Sequence, residues 1–580
     1  MNRYNTSEKN VQIILAMLKA HGIRKVIASP GTQNMTLIVS MQNDSYFEMY
    51  SSVDERSAAY LACGLASESK EPIVISCTGA TASRNYLPGL TEAYYRKLPV
   101  LAITSTPDIS NVGHHIAQII DRSSPPIDTF KHSITLPIIN NDNDFWDCEV
   151  KVNRAILELT RHGGGPVHIN LPTTNCGDFE TKGLPKTRII QRIKHFNEFP
   201  EIPMGKVAIF VGSHTTMTQQ QTEAIDRFCA SNNAVVFCDH TSGYKGKYRV
   251  LYALAACQLA FDISSVRPDL LIHIGEISGD YYSLKISGKQ VWRVSEDGEI
   301  RDTFKKLTYV FEMPEQIFFE NYANNNSLKT SNYLDTFKNH LKTLYNKLPE
   351  LPFSNIWIAS QIAQKIPDGS TIHFGILNSL RSWNFFELPN SVTSFSNVGG
   401  FGIDGNVSAL VGASLMNRNK LYFGVIGDLA FFYDMNVLGN RHVGNNVRIL
   451  MVNNGKGTEF RQFSHIAAQH GDDADEFIAA AGHFGSKSKT LVMHYAQDLG
   501  FEYLSASTKE EFGKIYERFL YPRITDKPML FEVFTNSEEE SDALKIIMNI
   551  ESDVKGKAKD VAKKVLGAKG IETIKKVIGR

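Results

Sequence analysis

Two residues carry the most legible chemistry: Asp428, where Val425-Ile426-Gly427 ends, and Asn454, where Val452-Asn453 ends. They lie 26 residues apart, about one strand–helix–strand unit. That spacing sets both at the carboxyl edge of adjacent parallel strands, where open α/β sheets bind ligands. A carboxylate, an amide oxygen and a backbone carbonyl just beyond, that of Lys456, suit a hard divalent cation completed by diphosphate oxygens. The diphosphate would meet the N-terminus of a helix starting near Ala430. Ordinary turn residues at two strand ends are the competing account. A second carboxylate, Glu55 in Val53-Asp54-Glu55-Arg56-Ser57-Ala58, falls where a strand gives way to a helix. Taken alone, it is a first-turn acid favoured by the helix dipole.

The elements that must position these groups alternate along the chain. VQIILAMLKAHG reads as a helix and KVIAS as a strand, with further strands at PIVISC, VLAIT and PVHINLP. Apolar runs alternating with helix-length segments predict parallel sheets covered on both faces. KVAIFVG, AVVFCD and DLLIHIG form a second such block, and TIHFG, KLYFGVIGD, VRILMVNN and MLFEVF a third. A charged, proline-punctuated stretch from Lys182 to Pro203 reads as a linker. A second connection, from Ala323 to Pro352, should carry a helix. The expectation is α/β, with three doubly wound parallel-sheet domains at 1–180, 200–345 and 353–548.

Composition narrows the setting. The 580 residues carry 61 Lys+Arg and 61 Asp+Glu, a balance that argues against bulk attraction to nucleic acid. Seven cysteines without a CxxC pair argue against a disulfide framework. With a polar start, MNRYNTSEKN, and no run of eighteen apolar residues, a cytoplasmic protein is expected. Residues 551–580 differ: nine Lys/Arg stand against four acids, and Val554, Ala558, Val561 and Val565 recur at helical spacing. Such a tail is a solvated or packing helix, a peripheral membrane anchor, or a helix that docks a partner.

In combination, several motifs carry a resemblance: Ala28-Ser29-Pro30-Gly31, Asp54-Glu55-Arg56, Asn85-Tyr86-Leu87-Pro88, Gly402-Ile403-Asp404-Gly405, Gly427-Asp428-Leu429 and Asn453-Asn454. The chain resembles thiamine-diphosphate enzymes, and among them the menaquinone-pathway synthases that decarboxylate 2-oxoglutarate and add its succinyl fragment to isochorismate. The likeness covers residues 10–175 and 355–535. It implies a pyrimidine-binding first domain, a central spacer, and a third domain binding diphosphate and Mg2+ (or Mn2+ or Ca2+). Glu55 would protonate the aminopyrimidine ring and so promote removal of the thiazolium C2 proton. Ser29, Pro30, Gly31, Thr78, Asn85, Asn378, Ser379, Gly402, Gly427, Asp428, Leu429, Ala430 and Asn454 would hold the cofactor, with Ile403 wedging it into its bent form. Asp428, Asn454 and Lys456 would hold the metal. A homodimer, alone or paired into a tetramer, would build the active site at its interface.

The chain departs from that pattern on the substrate side. Three arginines that grip dicarboxylates in the family become Gln33, Thr106 and Val398. Leaving buried charges unpaired costs about 2–5 kcal/mol each, so a different substrate is implied. His114 and His115 match substrate-facing groups of the family, or form a surface loop; Gln118 matches a polar residue near the thiazolium ring. Glu459 and Arg461 could bind a polar acceptor or be helix-start charges, and Arg84 and Phe401 are further substrate candidates. Three functions follow: a carboligase joining a small 2-oxo acid to a polar acceptor, a decarboxylase releasing aldehyde, or a silent scaffold docking partners through its tail.

Overall fold

Strands rich in Val, Ile and Leu with no polar face must be covered on both sides, and the computed structural model builds them so. It describes residues 4–323, 332–482 and 488–551; the basic tail, apart from Glu551, lies outside the described residues. The first sheet holds β1 (Lys25–Ala28), β2 (Glu48–Ser51), β3 (Ile73–Thr78), β4 (Val100–Thr106), β5 (His132–Thr135) and β6 (Val167–Pro172). Its order is β2-β1-β3-β4-β6-β5, and every pairing is parallel. On one face, Val11, Ile14 and Leu18 of helix Lys9–Ala20 pack with Val152 and Ile156 of helix Asp142–Glu158. On the other, Ala58, Ala62 and Ala66 of helix Glu55–Ser69 pack with Leu90 and Ala93 of helix Leu87–Tyr95.

The contact pattern divides the chain into two compact units, Met1–Glu198 with Asp297–Glu312, and Phe199–Glu296 with Met313–Arg580. Strand β7 (Gln191–Lys194) pairs in parallel with β13 (Leu307–Glu312) in the first unit. In the second unit, β8 (Val207–Val211), β9 (Ala234–Cys238), β10 (Arg249–Leu251), β11 (Leu270–Ile274) and β12 (Gln290–Ser295) run β10-β9-β8-β11-β12. The same unit holds β14 (Thr371–Phe374), β15 (Thr393–Ser396), β16 (Tyr422–Gly427), β17 (Val447–Asn453), β18 (Glu502–Ala506) and β19 (Met529–Phe534). They run β15-β14-β16-β17-β19-β18, so the first and last sheets share one strand order. In both, the chain reverses direction beside the first strand, which opens a crevice at the carboxyl ends of the first and third strands.

The stretch read as a linker contains β7, and the expected helix before residue 352 is Asn332–Asn346. Gln-Arg-Ile-Lys buries only Ile193 among charges, which is why it read as a linker. Of these charges, Arg192 is paired. Arg192 reaches Glu158 at 3.0 Å, and Arg161, 7 % exposed, reaches Glu299, Glu158 and Glu312 at 2.7, 3.1 and 3.1 Å. The segment Asp297–Glu312 is tied into the first unit through this hub. Among the described residues, no helix is long and apolar enough to cross a membrane.

Arg161→Ala should leave Glu158 and Glu312 short of a cation and cost about 3 kcal/mol. Urea denaturation followed by circular dichroism measures this; an unmoved first transition would mean that Arg192 alone satisfies both acids.

Candidate active site

At the crevice of the first sheet, β1 and β3 end in Ser29-Pro30-Gly31 and Thr78-Gly79. The two turns touch: a Cβ at Gly31 would come within 2.8 Å of the Thr78 Cβ, so only glycine fits. Asn34 donates to the Ser29 carbonyl at 3.1 Å and fixes the first turn. Beyond β2, Asp54 caps helix Glu55–Ser69, accepting from the Arg56 and Ser57 backbone at 3.1 and 3.3 Å. Glu55 is thereby relieved of capping and stays half-buried, accepting a hydrogen bond from Asn85 Nδ2 at 3.2 Å. Behind it, Tyr86 is fully buried, and burial raises its hydroxyl well above the usual tyrosine range, with Cys77 adding to the effect.

At the matching crevice of the last sheet, Asp428 is 5 % exposed and opens helix Asp428–Asp434, two residues before the expected start. Its two carboxylate oxygens accept from Leu429 N at 2.8 Å and Gly455 N at 2.7 Å, which ties the end of β16 to the turn after β17. Burial pushes this carboxyl up to about 6, because dipoles alone offset its charge poorly. Just before Gly455, Asn454 Oδ1 is buried without a hydrogen-bond partner. A buried carboxylate and an orphan amide oxygen are the donors a hard cation takes up, so these residues fit a metal-bound diphosphate. Among the described residues, no cluster of three His, Cys, Asp or Glu offers an alternative metal site.

Residues 9–124 match the family model for the thiamine pyrophosphate enzyme N-terminal TPP-binding domain. A 2-succinyl-5-enolpyruvyl-6-hydroxy-3-cyclohexene-1-carboxylate synthase of Bacteroides fragilis is 30% identical over 560 residues, covering 93% of this chain and 98% of the relative. The synthase of the same name from Bacteroides thetaiotaomicron is 29% identical over 568 residues, covering 93% and 98%. The chain belongs to the thiamine-diphosphate-dependent enzyme family. A solved Rhodococcus jostii thiamine diphosphate-dependent 4-hydroxybenzoylformate decarboxylase is 16% identical, with a TM-score of 0.39 over 91% of this chain and 99% of that one.

Within this thiamine-diphosphate enzyme, the remaining expected residues fall into three groups. Asn378 and Ser379 lie near the metal-type donors: Gln462 Nε2 donates to Asn378 Oδ1 at 3.3 Å, and Asn355 Nδ2 to Ser379 Oγ at 3.3 Å. Leu377, just before them, is held at φ 68°, a costly conformation for a branched residue. Gly402 and Ile403 lie in the loop between β15 and helix Asn406–Ser414, where the Ile403 carbonyl accepts from Asn406 Nδ2 at 2.9 Å. Leu429 and Ala430 belong to helix Asp428–Asp434, and Ala430 is buried in its core.

The substrate candidates are more dispersed. His114, His115 and Gln118 are exposed on the loop after β4, where His115 and Gln118 take φ of 57° and 66°. Among the described residues, no hydrogen bond joins them to Glu55. Glu459 is ion-paired with the half-buried Arg381. Arg461 pairs with Asp472 and Asp475 at 3.0 and 3.3 Å, and Lys456 Nζ with Asp475 at 2.6 Å. All three charges are thus already paired within the fold. Phe401, at φ 54°, packs its ring against Tyr281 with centroids 5.8 Å apart and planes tilted by 47°. Where arginines were expected, Gln33 keeps a buried Oε1 without a partner, and Thr106 and Val398 are buried.

One residue escaped the sequence analysis here. Glu540 is fully buried, accepts from Asn355 N at 2.9 Å and Thr535 Oγ1 at 2.8 Å, and is pushed up to about 7 by burial, with Asp428 adding to the effect. In Ser537-Glu538-Glu539-Glu540 it looked like one more first-turn acid, and its apolar partners Ala543 and Leu544 were the available signal.

Asp428→Asn and Asn454→Ala should each weaken binding of thiamine diphosphate with Mg2+ by about tenfold or more, 1.4 kcal/mol. Titration calorimetry measures it, and unchanged heats in both variants would remove these residues from the metal site.

Proposed function

We propose that this enzyme is a carboligase that decarboxylates a small 2-oxo acid and transfers the acyl unit to a polar acceptor different from that of the cyclohexene-carboxylate synthases. One observation supports it above the others: the cofactor residues of the family are retained while Gln33, Thr106 and Val398 stand where its arginines would be. Thiamine diphosphate, when bound, supplies a carbon nucleophile and a sink for the electron pair left by departing carbon dioxide. Asp428, Asn454 and the Lys456 carbonyl hold Mg2+ and through it the diphosphate. Residues 1–180 bind the pyrimidine, residues 353–548 the diphosphate, and residues 200–345 act as the spacer. Two copies of the chain complete the site, Glu55 from one subunit serving the cofactor held by the other.

Glu55 holds a proton at the aminopyrimidine ring, and Asn85, bonded to its Oε2, sets the direction of that carboxyl. The exposed His114-His115 pair favours one alternative, in which imidazole delivers a proton in place of the acceptor and aldehyde leaves.

Glu55→Gln should lower turnover about 10²–10⁴-fold with cofactor binding largely intact by calorimetry; undiminished turnover would overturn the mechanism. Incubation of the wild-type enzyme with pyruvate or 2-oxoglutarate, thiamine diphosphate and Mg2+ separates the two reactions. Slow aldehyde release fits carboligation, and rapid release would move the assignment to the decarboxylase.

A further inference from the structure

The first unit contains a buried cation that nothing above uses. Arg122 follows the exposed loop of His114 and Gln118 and turns inward until it is 7 % exposed. It donates through Nη1 to Thr104 Oγ1 at 2.8 Å and through Nη2 to Asn170 Oδ1 at 2.5 Å. Both acceptors are neutral, and a guanidinium has five donors. Among the described residues, no carboxylate pairs with it. The acidic group that bears on it is the Cys77 thiol, which burial raises to about 12, leaving it protonated at neutral pH.

Its neighbours add no negative charge either. Arg122 lines a cleft with Arg84, Tyr86, Thr104, Phe130 and His168. His168 stacks on Phe130, with centroids 5.1 Å apart, and bonds to Thr104 Oγ1 at 2.7 Å and Ser133 Oγ at 2.9 Å. Burial first, then Arg122 and Arg84, bring it down to about 3, so it is a neutral wall. Arg84 donates to the Asp121 carbonyl at 2.9 Å, while the Asp121 carboxylate accepts from Ser123 N at 2.8 Å. Two guanidiniums therefore line one cleft, one of them without an anion. An unpaired buried charge is costly, and a planar guanidinium is the group that pairs bidentately with carboxylate.

The cleft lies beside the cofactor crevice. A Cβ at Gly79, in the turn that touches Gly31, would lie 3.4 Å from Arg122 Nη1. Tyr86, which lines the cleft, follows Asn85, the hydrogen-bond donor to Glu55, and both Tyr86 and Cys77 lie within electrostatic reach of Glu55.

We propose that Arg122, with Arg84 beside it, anchors a carboxylate of the substrate, supplying the charge that Gln33 and Thr106 lack. This rests on the carboligase reading, since it gives that enzyme its substrate class: an anion carrying a carboxylate away from the reacting carbon. Carboxylate is the anion that arginines at positions 33 and 106 would have met, and Arg122 keeps further N–H donors beyond those bonded to Thr104 and Asn170; phosphate is the alternative that the test distinguishes.

The test uses full-length enzyme loaded with thiamine diphosphate and Mg2+, titrated calorimetrically with succinate, acetate and inorganic phosphate. Succinate, which has no oxo group to react, should bind to the wild type. Arg122→Gln, whose amide can still meet Thr104 and Asn170, should weaken it about tenfold or more, and Arg84→Ala by a smaller factor. Cofactor binding should stay within about threefold of the wild type in both, which also certifies the fold; if Arg122→Gln does not fold, Arg84→Ala carries the test. Equal succinate affinity in wild type and variants, no succinate binding to the loaded wild type, or phosphate binding as tightly with the same sensitivity would overturn the proposal. Failure of the carboligase reading would look different, with rapid aldehyde release from a 2-oxo acid while succinate binding keeps its sensitivity to Arg122→Gln.

Discussion

A carboxylate buried at a strand end without a cation is an unfinished electrostatic arrangement. Asp428 is shielded from water and met only by backbone dipoles, with an amide oxygen of Asn454 left idle nearby. Folding alone gains little from such a pair, because burying a charge costs several kcal/mol. A divalent ion with its diphosphate would resolve both deficits together. The strained Leu377 and the second buried acid, Glu540, stand around the same crevice, and the geometry of the last sheet is organised to hold this charge.

The two outer sheets solve one geometric problem twice. Each reverses its strand order beside its first strand, so each opens a crevice where turn residues project. In the first sheet the crevice is lined by small residues and a hydrogen-bonded Glu55; in the last it is lined by oxygen donors. One fold thus presents one edge with a half-buried, hydrogen-bonded carboxyl and another with a buried carboxylate beside an idle amide oxygen, and the difference lies in the turns. The middle sheet shows the same reversal between β8 and β11, but its buried acid, Asp239 after β9, is already met by Thr241, Ser278 and Gly279.

The sequence made much of this visible. Central strands such as Val100–Thr106 are buried along their whole length, so their apolar runs could be nothing else, and the separation of Asp428 from Asn454 matched one parallel crossover. Edge strands were harder. Gln191–Lys194 and Glu48–Ser51 have charged or exposed residues, and their pairing depends on partners far along the chain. Glu540 and Arg122 stayed hidden for the same reason: a charged residue in a polar run looks solvated until tertiary packing buries it. Conversely, Glu459 and Arg461 looked available, and their ion pairs with Arg381, Asp472 and Asp475 became apparent only in three dimensions.

The contact between Gly31 and Thr78 bears on how this scaffold tolerates change. Because no side chain fits at position 31, randomised libraries there would return mostly unfolded or cofactor-free protein. Two residues on, Gln33 keeps a side-chain oxygen that nothing uses. Diversification of this turn is therefore constrained at its tip and permissive on its far side, which lets new specificities be selected without disturbing the neighbouring catalytic apparatus.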